Sequence, residues 1–251
     1  MKTSIIRNRN IILSLIFWLI LLEVLSIVTD SFFFPRVSSV LIYSFKNLFN
    51  TSYLIAVINS FSKILLGFIL ALIFSLVFGI LSYRFKLIKD ILLFPMLVFK
   101  TVPVASFIIL ILLFFGSRYL STIIGFIMSV SVIYSSVLSS LENVDPNLKE
   151  MAKVYQIPLT KQIKCIYFPK VFKLSLDSSS LAMQMCVKAG VAAELIGLPS
   201  DSLGTLLYEA KLYLDIYQLF HVTILLVVSS MIITKLYKFL LNKLYEVLVW
   251  I

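Results

Sequence analysis

A chain of 251 residues that is 61% apolar, with a mean hydropathy of +1.05, lies far outside the ~45–50% apolar range of soluble domains and reads as an integral membrane protein. Unbroken runs such as LLGFILALIFSLVFG exclude the ten-residue alternation of a transmembrane barrel, so the fold class is all-α. The formal net charge of +10 follows from how lysines and arginines are divided across a membrane, and it is no evidence for nucleic-acid binding.

A spanning helix needs about 20 mostly apolar residues, and six stretches qualify: roughly 11–28, 54–83, 91–115, 120–141, 171–197 and 216–234. The first follows Lys2, Arg7 and Arg9 in the manner of a secretion signal. It is long, however, contains Glu23 and ends in IVTDSFFFP without a small-x-small cleavage pattern, so a retained span is expected. Between the first two spans, RVSSVLIYSFKNLFN places Val37, Val40, Leu41, Phe45, Leu48 and Phe49 on one helical face, the pattern of a helix lying along the outer membrane surface. The third span is interrupted by Lys100-Thr101-Val102-Pro103.

The fifth span carries two stripes. Cys186, Gly190, Ala193 and Gly197 recur at spacings of 4, 3 and 4, a run of small residues that lets another helix approach closely. Asp177, Gln184 and Lys188, at spacings of 7 and 4, form a polar stripe about 200° around the helix from the first. A lysine at that depth costs at least ~2.5 kcal/mol against lipid, so it must face a carboxylate or water. It either pairs with Glu23 or Glu194, stapling helices, or lines a translocation pathway with Gln184 beside it and Lys100 contributed by the broken third span. Ahead of the sixth span, Leu203, Leu206, Leu207, Ala210 and Leu214 mark a second interfacial helix. The single His221 begins that span without a second metal ligand nearby and is expected to pack.

Orientation follows from the basic residues. With the N-terminus in the cytoplasm, the inner side takes Lys2, Arg7, Arg9, Arg84, Lys86, Lys89, the lysines from Lys149 to Lys173, and Lys235, Lys238 and Lys243. The outer side takes only Arg36, Lys46, Arg118 and Lys211. Both termini are then cytoplasmic, and Asp30 joins the outer acids. Cys165 falls on the inner side and Cys186 inside the fifth span, so no disulfide is expected. No metal spacing exists and no cofactor is implied. The chain contains no GxxxxGK[ST] phosphate loop, nor any Gly-Lys pair, and one histidine near a membrane surface assembles no catalytic set; an enzyme is not expected. No linker divides the chain, so residues 1–251 form one membrane domain.

The stretch KEMAKVYQIPLTKQIKCIYFPKV at 149–171 is a polar knob between the fourth and fifth spans. Asp145 can cap a helix and Pro146 suits its first position. That helix must end before Pro158, Thr160 can cap a second one, and Pro169 follows at the mouth of the fifth span. Leu148, Met151, Ala152 and Tyr155, at i, i+3, i+4 and i+7, give the first helix an apolar stripe. The stripe either packs on the inner ends of the chain's own spans or enters a groove on a cytoplasmic partner.

Glu150-Met151-Ala152, three residues, Gln156, nine residues and Ile166-Tyr167-Phe168-Pro169 resemble in spacing the EAA-x3-G-x9-I-x-LP loop of binding-protein-dependent ABC importer permeases. SFSKILLGFILALIFSLVFGILSYRF, FKTVPVASFIILILLFFG and VAAELIGLPSDSLGTLLYEAKLYLD resemble further segments of the nitrate/sulfonate/taurine-type members. The likeness runs from about Phe34 to the C-terminus, with 54–245 as the permease core and 143–170 as the loop.

The resemblance implies a type I importer permease fold in a bacterial cell membrane. It also implies a dimer of separate cytoplasmic ABC ATPases docking on Asn147, Leu148, Glu150, Met151, Ala152, Tyr155 and Gln156, an extracytoplasmic substrate-binding protein on the outer side, and a second permease copy, as a homodimer. The cargo it implies is small, a sulfonate, nitrate or vitamin-precursor-like compound. Where the family has glycine this chain has Gln156, so a left-handed turn there must be made by a residue with a side chain. A stand-alone ion-gradient-driven transporter or channel is the alternative; such carriers show repeats and midplane acids, and Glu23, Asp177 and Glu194 form no repeat. A vitamin transporter with a membrane-embedded capture protein is the third reading, against which the EAA spacing speaks.

Overall fold

The computed structural model describes residues 2–29 and 34–250, with side chains described except at 2–12, 15, 173–176, 244 and 247–250. Asp30 and the side chains of Lys2, Arg7, Arg9 and Lys173, used in the charge assignment, therefore lie outside the described residues. Within them every regular element is helical: α1 (Lys2–Thr29), α2 (Val37–Asn47), α3 (Thr51–Arg84), α4 (Lys86–Thr101), α5 (Val104–Phe115), α6 (Leu120–Glu142), α7 (Pro146–Val154), α8 (Leu159–Gln162), a π-helical turn (Ile163–Tyr167), α9 (Phe168–Gly197), α10 (Leu203–Leu212) and α11 (Ile216–Trp250).

Among the described residues, α3, α6 and α11 over Ile216–Lys243 are each long and apolar enough to cross a membrane, and α4 with α5 makes a fourth crossing if the bent pair is taken as one. The other two expected spans coincide with α1 and with α9. The latter has 30 residues, about 45 Å of helix, and its charged side chains dilute its apolar character. The break expected at residues 100–103 is a sharp bend, with α4 and α5 meeting at 109°. Val102 is extended, at φ −73° and ψ 133°, because the ring of a following proline disfavours the helical region. Pro103 then opens α5.

Lipid tails are as apolar as leucine, so helices in a membrane associate through close packing and interhelical hydrogen bonds rather than by escape from water. The centre of the molecule shows both. α6 packs most extensively, against α3 on one side and α9 on the other. At the α3–α6 crossing a Cβ on Gly67 would come 2.3 Å from the carbonyl oxygen of Thr122, so only glycine permits that approach. The small-residue stripe of α9 faces inward as expected, with Cys186 and Ala193 fully buried and Gly190 pressed against Ile64. Thr122 Oγ1 donates to the Lys63 carbonyl at 3.1 Å, Ser75 Oγ to the Val130 carbonyl at 3.2 Å, and Tyr134 OH to Ser82 Oγ at 2.8 Å. Such bonds average about 0.6 kcal/mol each in membranes. Ile64, Phe68, Val137, Met183, Leu203 and Val222 join α3, α6, α9, α10 and α11 in one apolar cluster.

Both amphipathic segments outside the spans are helices. In α10, Leu203 and Ala210 are fully buried, Leu206 and Leu207 rest on the same cluster, and Leu214, past the helix end, is exposed. α2 keeps most of its apolar face outward. It turns Val40 and Ser44 inward and leaves Phe45 outward, 74% exposed, as is Phe49 just past its end at 82%, so these bulky apolar residues are free for lipid. His221 is fully buried, with the Tyr53 and Tyr43 rings at 4.6 and 5.8 Å between centroids, the packing role expected of it.

The entry to α9 corrects the sequence reading at the start of the second short helix. Pro158, not Thr160, precedes the second short helix, which starts at Leu159. No break separates that helix from α9, because α8 passes through the π-helical turn directly into it, and the Phe168 N–H bonds to the carbonyl of Ile163, five residues back. The wider turn accommodates Pro169, which lacks an N–H and whose ring would press on a carbonyl four residues earlier in a regular helix.

Candidate functional site

Two polar features stand out against this apolar frame, and the first is the knob built from α7, α8 and the turn between them. Asp145 caps α7 as expected, its Oδ1 accepting from the Asn147 N–H at 2.9 Å, with Pro146 in the first turn. The helix closes with two bonds: the Ile157 N–H reaches the Ala152 carbonyl at 2.9 Å and the Gln156 N–H the Lys153 carbonyl at 3.2 Å. This is the Schellman closure, and it demands a left-handed residue at its pivot. That residue is Gln156, at φ 46°, the position where the resembled loop has glycine. Gln162 Nε2 braces the turn by donating to the Ile157 carbonyl at 2.7 Å.

The knob is tied to the ends of the neighbouring helices. Lys149 Nζ lies 5.8 Å from the Tyr83 ring, the Tyr83 and Tyr167 rings are 6.1 Å apart, and Lys170 Nζ donates to the Asn143 carbonyl. The neighbouring Tyr83 hydroxyl pushes the Tyr167 phenol up from its ordinary value, and partial burial adds to that. Lys89 and Glu142 pair at 2.5 Å between α4 and the end of α6.

The expected apolar stripe divides. Ala152 is 2% exposed and packs inward, whereas Leu148 and Met151 are 41% and 42% exposed and Tyr155 is 74% exposed. Asn147, Glu150 and Gln156 are exposed beside them. Val154 and Leu159, which the helical spacing did not single out, are exposed as well, at 76% and 74%. The signal that could have found them is composition, since each is an apolar residue in a lysine-rich loop. The knob thus exposes several apolar side chains together with Glu150 and Lys153.

The second feature is the outward side of α9. Asp177, Gln184 and Lys188 are all exposed, on the side away from the buried stripe. The carboxylates that could have stapled Lys188 are engaged elsewhere. Glu23 accepts from the Ser38 hydroxyl at 2.9 Å and the Ser38 N–H at 3.2 Å, at the start of α2. Glu194 accepts from Ser60 and Ser121. The structure therefore does not pair Lys188 with either. Phe99, near the end of α4, packs on the cluster that α5, α6 and α9 share, which includes Ala189 and Ala193, and the next residue, Lys100, is exposed. Both cysteines are free, Cys165 exposed and Cys186 buried, and no group of three or more potential metal ligands occurs among the described residues.

The family model of the binding-protein-dependent transport system inner membrane component matches residues 63–246, taking in most of α3, the central α6 and α9, the knob between them and nearly all of α11. No curated protein matches the chain closely enough to narrow the assignment further. On a match over this much of an all-helical, span-rich chain, the protein belongs to the binding-protein-dependent transport system inner membrane components.

Proposed function

We propose that the chain is the permease subunit of an ATP-driven importer whose α7 knob docks on a separate cytoplasmic ATPase, so that movement of an ATPase pair is passed to the spans. The observation that carries this is the split of the α7 stripe. Ala152 is used up in internal packing, while Leu148, Met151, Val154, Tyr155 and Leu159 form an apolar surface on a segment that the lysine distribution assigns to the cytoplasm. A surface of that kind in water is suited to a protein partner.

Two copies of the permease form the pathway, each contributing the Gln184 and Lys188 side of α9 with Lys100 at the bend of α4 and α5. The chain crosses a bacterial cell membrane six times with both termini inside, and a substrate-binding protein delivers cargo from outside, near α2 and α10. Unpaired lysines at the pathway favour a small anionic solute, which agrees with the likeness to nitrate/sulfonate/taurine-type permeases. No observation favours the ion-driven carrier, because two of the acids such a carrier would use, Glu23 and Glu194, accept hydrogen bonds within the fold.

The test is reconstitution of the permease with its ATPase in lipid vesicles. Hydrolysis stimulated by the loaded binding protein, together with uptake that needs ATP, is the expected result. Uptake driven by an ion gradient without the ATPase would overturn the reading.

A further inference from the structure

Glu194 is fully buried near the end of α9, and a carboxylate withdrawn from water is costly unless its oxygens are well supplied with donors. Three helices supply them. Oε2 accepts from Ser60 Oγ of α3 at 2.6 Å and from the Gly204 N–H of α10 at 3.3 Å, and Oε1 accepts from Ser121 Oγ of α6 at 3.1 Å. Ser60 Oγ in turn accepts from the Leu203 N–H at 2.9 Å, while Ser202 Oγ accepts from the Thr205 N–H at 3.2 Å. The first three amides of α10, groups that a helix leaves without internal partners, are thus satisfied by one carboxylate and two hydroxyls. The positive end of the α10 dipole meets the negative charge.

The fit leaves little freedom. A Cβ on Gly204 would come 2.4 Å from the Cβ of Glu194 and 2.5 Å from its backbone carbon, so the start of α10 is pressed directly onto α9. Asn59 Nδ2 adds a second tie from α3, donating to the Asp201 carbonyl at 3.2 Å. At its far end α10 closes on Leu214 at φ 55°, with the Asp215 N–H bonded to the Ala210 carbonyl at 2.9 Å. Asp215 then caps α11, its Oδ1 accepting from the Gln218 N–H at 2.9 Å. Tyr208, Leu212 and Tyr213 project from α10 as exposed side chains.

We propose that Glu194 is the positioning residue that joins α10 to the central α3–α6–α9 assembly, so that a load placed on α10 by the substrate-binding protein is delivered to the packed helices instead of being absorbed by the loop at 198–202. This rests on the importer reading given above. The neutral side chains around Glu194 could pack without it. What the carboxylate adds is a single acceptor shared by α3, α6 and α10, and losing it frees the start of α10 while leaving the α3–α6 and α6–α9 crossings intact.

The test uses the reconstituted permease–ATPase complex with Glu194→Ala and Glu194→Gln, and Ser121→Ala as a milder change that removes one donor. ATP hydrolysis is measured with and without loaded binding protein. In a Cys165→Ser background, spin labels at Ser52→Cys and Tyr213→Cys, both on exposed positions, report the distance between α3 and α10. Glu194→Ala is expected to keep basal hydrolysis, to lose about tenfold in binding-protein stimulation, a typical coupling between sites, and to broaden the label distances. Glu194→Gln is expected to fall between it and the parent.

A change only in folded yield, with the ratio of stimulated to basal hydrolysis as in the parent, would overturn the proposal, as would label distances as narrow as the parent's in Glu194→Ala. Should Glu194→Ala not fold, the same two readouts on Glu194→Gln and Ser121→Ala decide. A parent complex with no stimulation at all would instead refute the importer reading, and the label distances would still report on Glu194.

Discussion

Gln156 shows how a single residue can follow a family's geometry without its chemistry. A non-glycine residue in the left-handed region costs roughly 1–2 kcal/mol, and here the cost is met because the two closing bonds of α7 and the Gln162 brace require that conformation. Gln156→Gly should therefore leave uptake intact and hold or slightly raise the thermal midpoint in detergent, since relief of the strain outweighs a glycine's entropic cost of roughly 0.5–1 kcal/mol. Gln156→Val, β-branched at positive φ, should lower the midpoint; a midpoint unchanged by valine would show that the turn is not made as described. Leu198 and Leu214, also left-handed at φ 47° and 55°, could not be anticipated, because nothing in a leucine advertises that conformation. Lys188 was legible as an anomaly in an apolar span, but not that neither expected carboxylate would pair with it, since Glu23 and Glu194 find Ser38 and Ser60 instead. Lys188→Met should preserve assembly and basal ATP hydrolysis and reduce uptake at least tenfold, as expected where a site's charge recognises an anion. Unimpaired transport would remove Lys188 from the pathway.

At the scale of the element, local chemistry was readable where it is local. Asp145 and Pro146 set the start of α7, and Val102-Pro103 set the bend between α4 and α5. The cap expected at Thr160 falls instead at Pro158, and how α8 runs on through a π-helical turn that accommodates Pro169 was not legible. The apolar stripe of α7 was likewise readable as a stripe, but its division between inside and outside depends on tertiary position. That division separates two kinds of variant. Ala152→Asp would bury a charge with no partner, costing several kcal/mol, and should disrupt the knob itself. Met151→Asp and Tyr155→Asp change only the exposed side. They are expected to leave the permease inserted and folded while weakening its co-purification with the ATPase by about tenfold or more, the range of a binding hot spot. Full ATPase retention in both outward variants would dissociate α7 from coupling.

At the scale of the whole molecule, the small-residue face of the fifth span was visible in the sequence, whereas the order of packing was not. The stripe of Cys186, Gly190 and Ala193 announced a close crossing, yet it could not say that α9 would meet both α6 and α3 there. Orientation is a different kind of inference, since it comes from the partition of lysine and arginine rather than from any contact, and the two cysteines provide its test. Cys165 is exposed on the knob side and Cys186 is fully buried between α6 and α9. A membrane-impermeant thiol reagent should leave intact cells unlabelled and label inside-out vesicles at Cys165 alone, with Cys165→Ser abolishing the signal. Cys186 serves as an internal control, because it should stay unreactive from either side until the protein is denatured. Labelling of Cys165 in intact cells would invert the molecule. The knob would then lie outside, α2 and α10 inside, and docking of α7 on a cytoplasmic ATPase would be physically impossible, so one labelling experiment bears on orientation and coupling together.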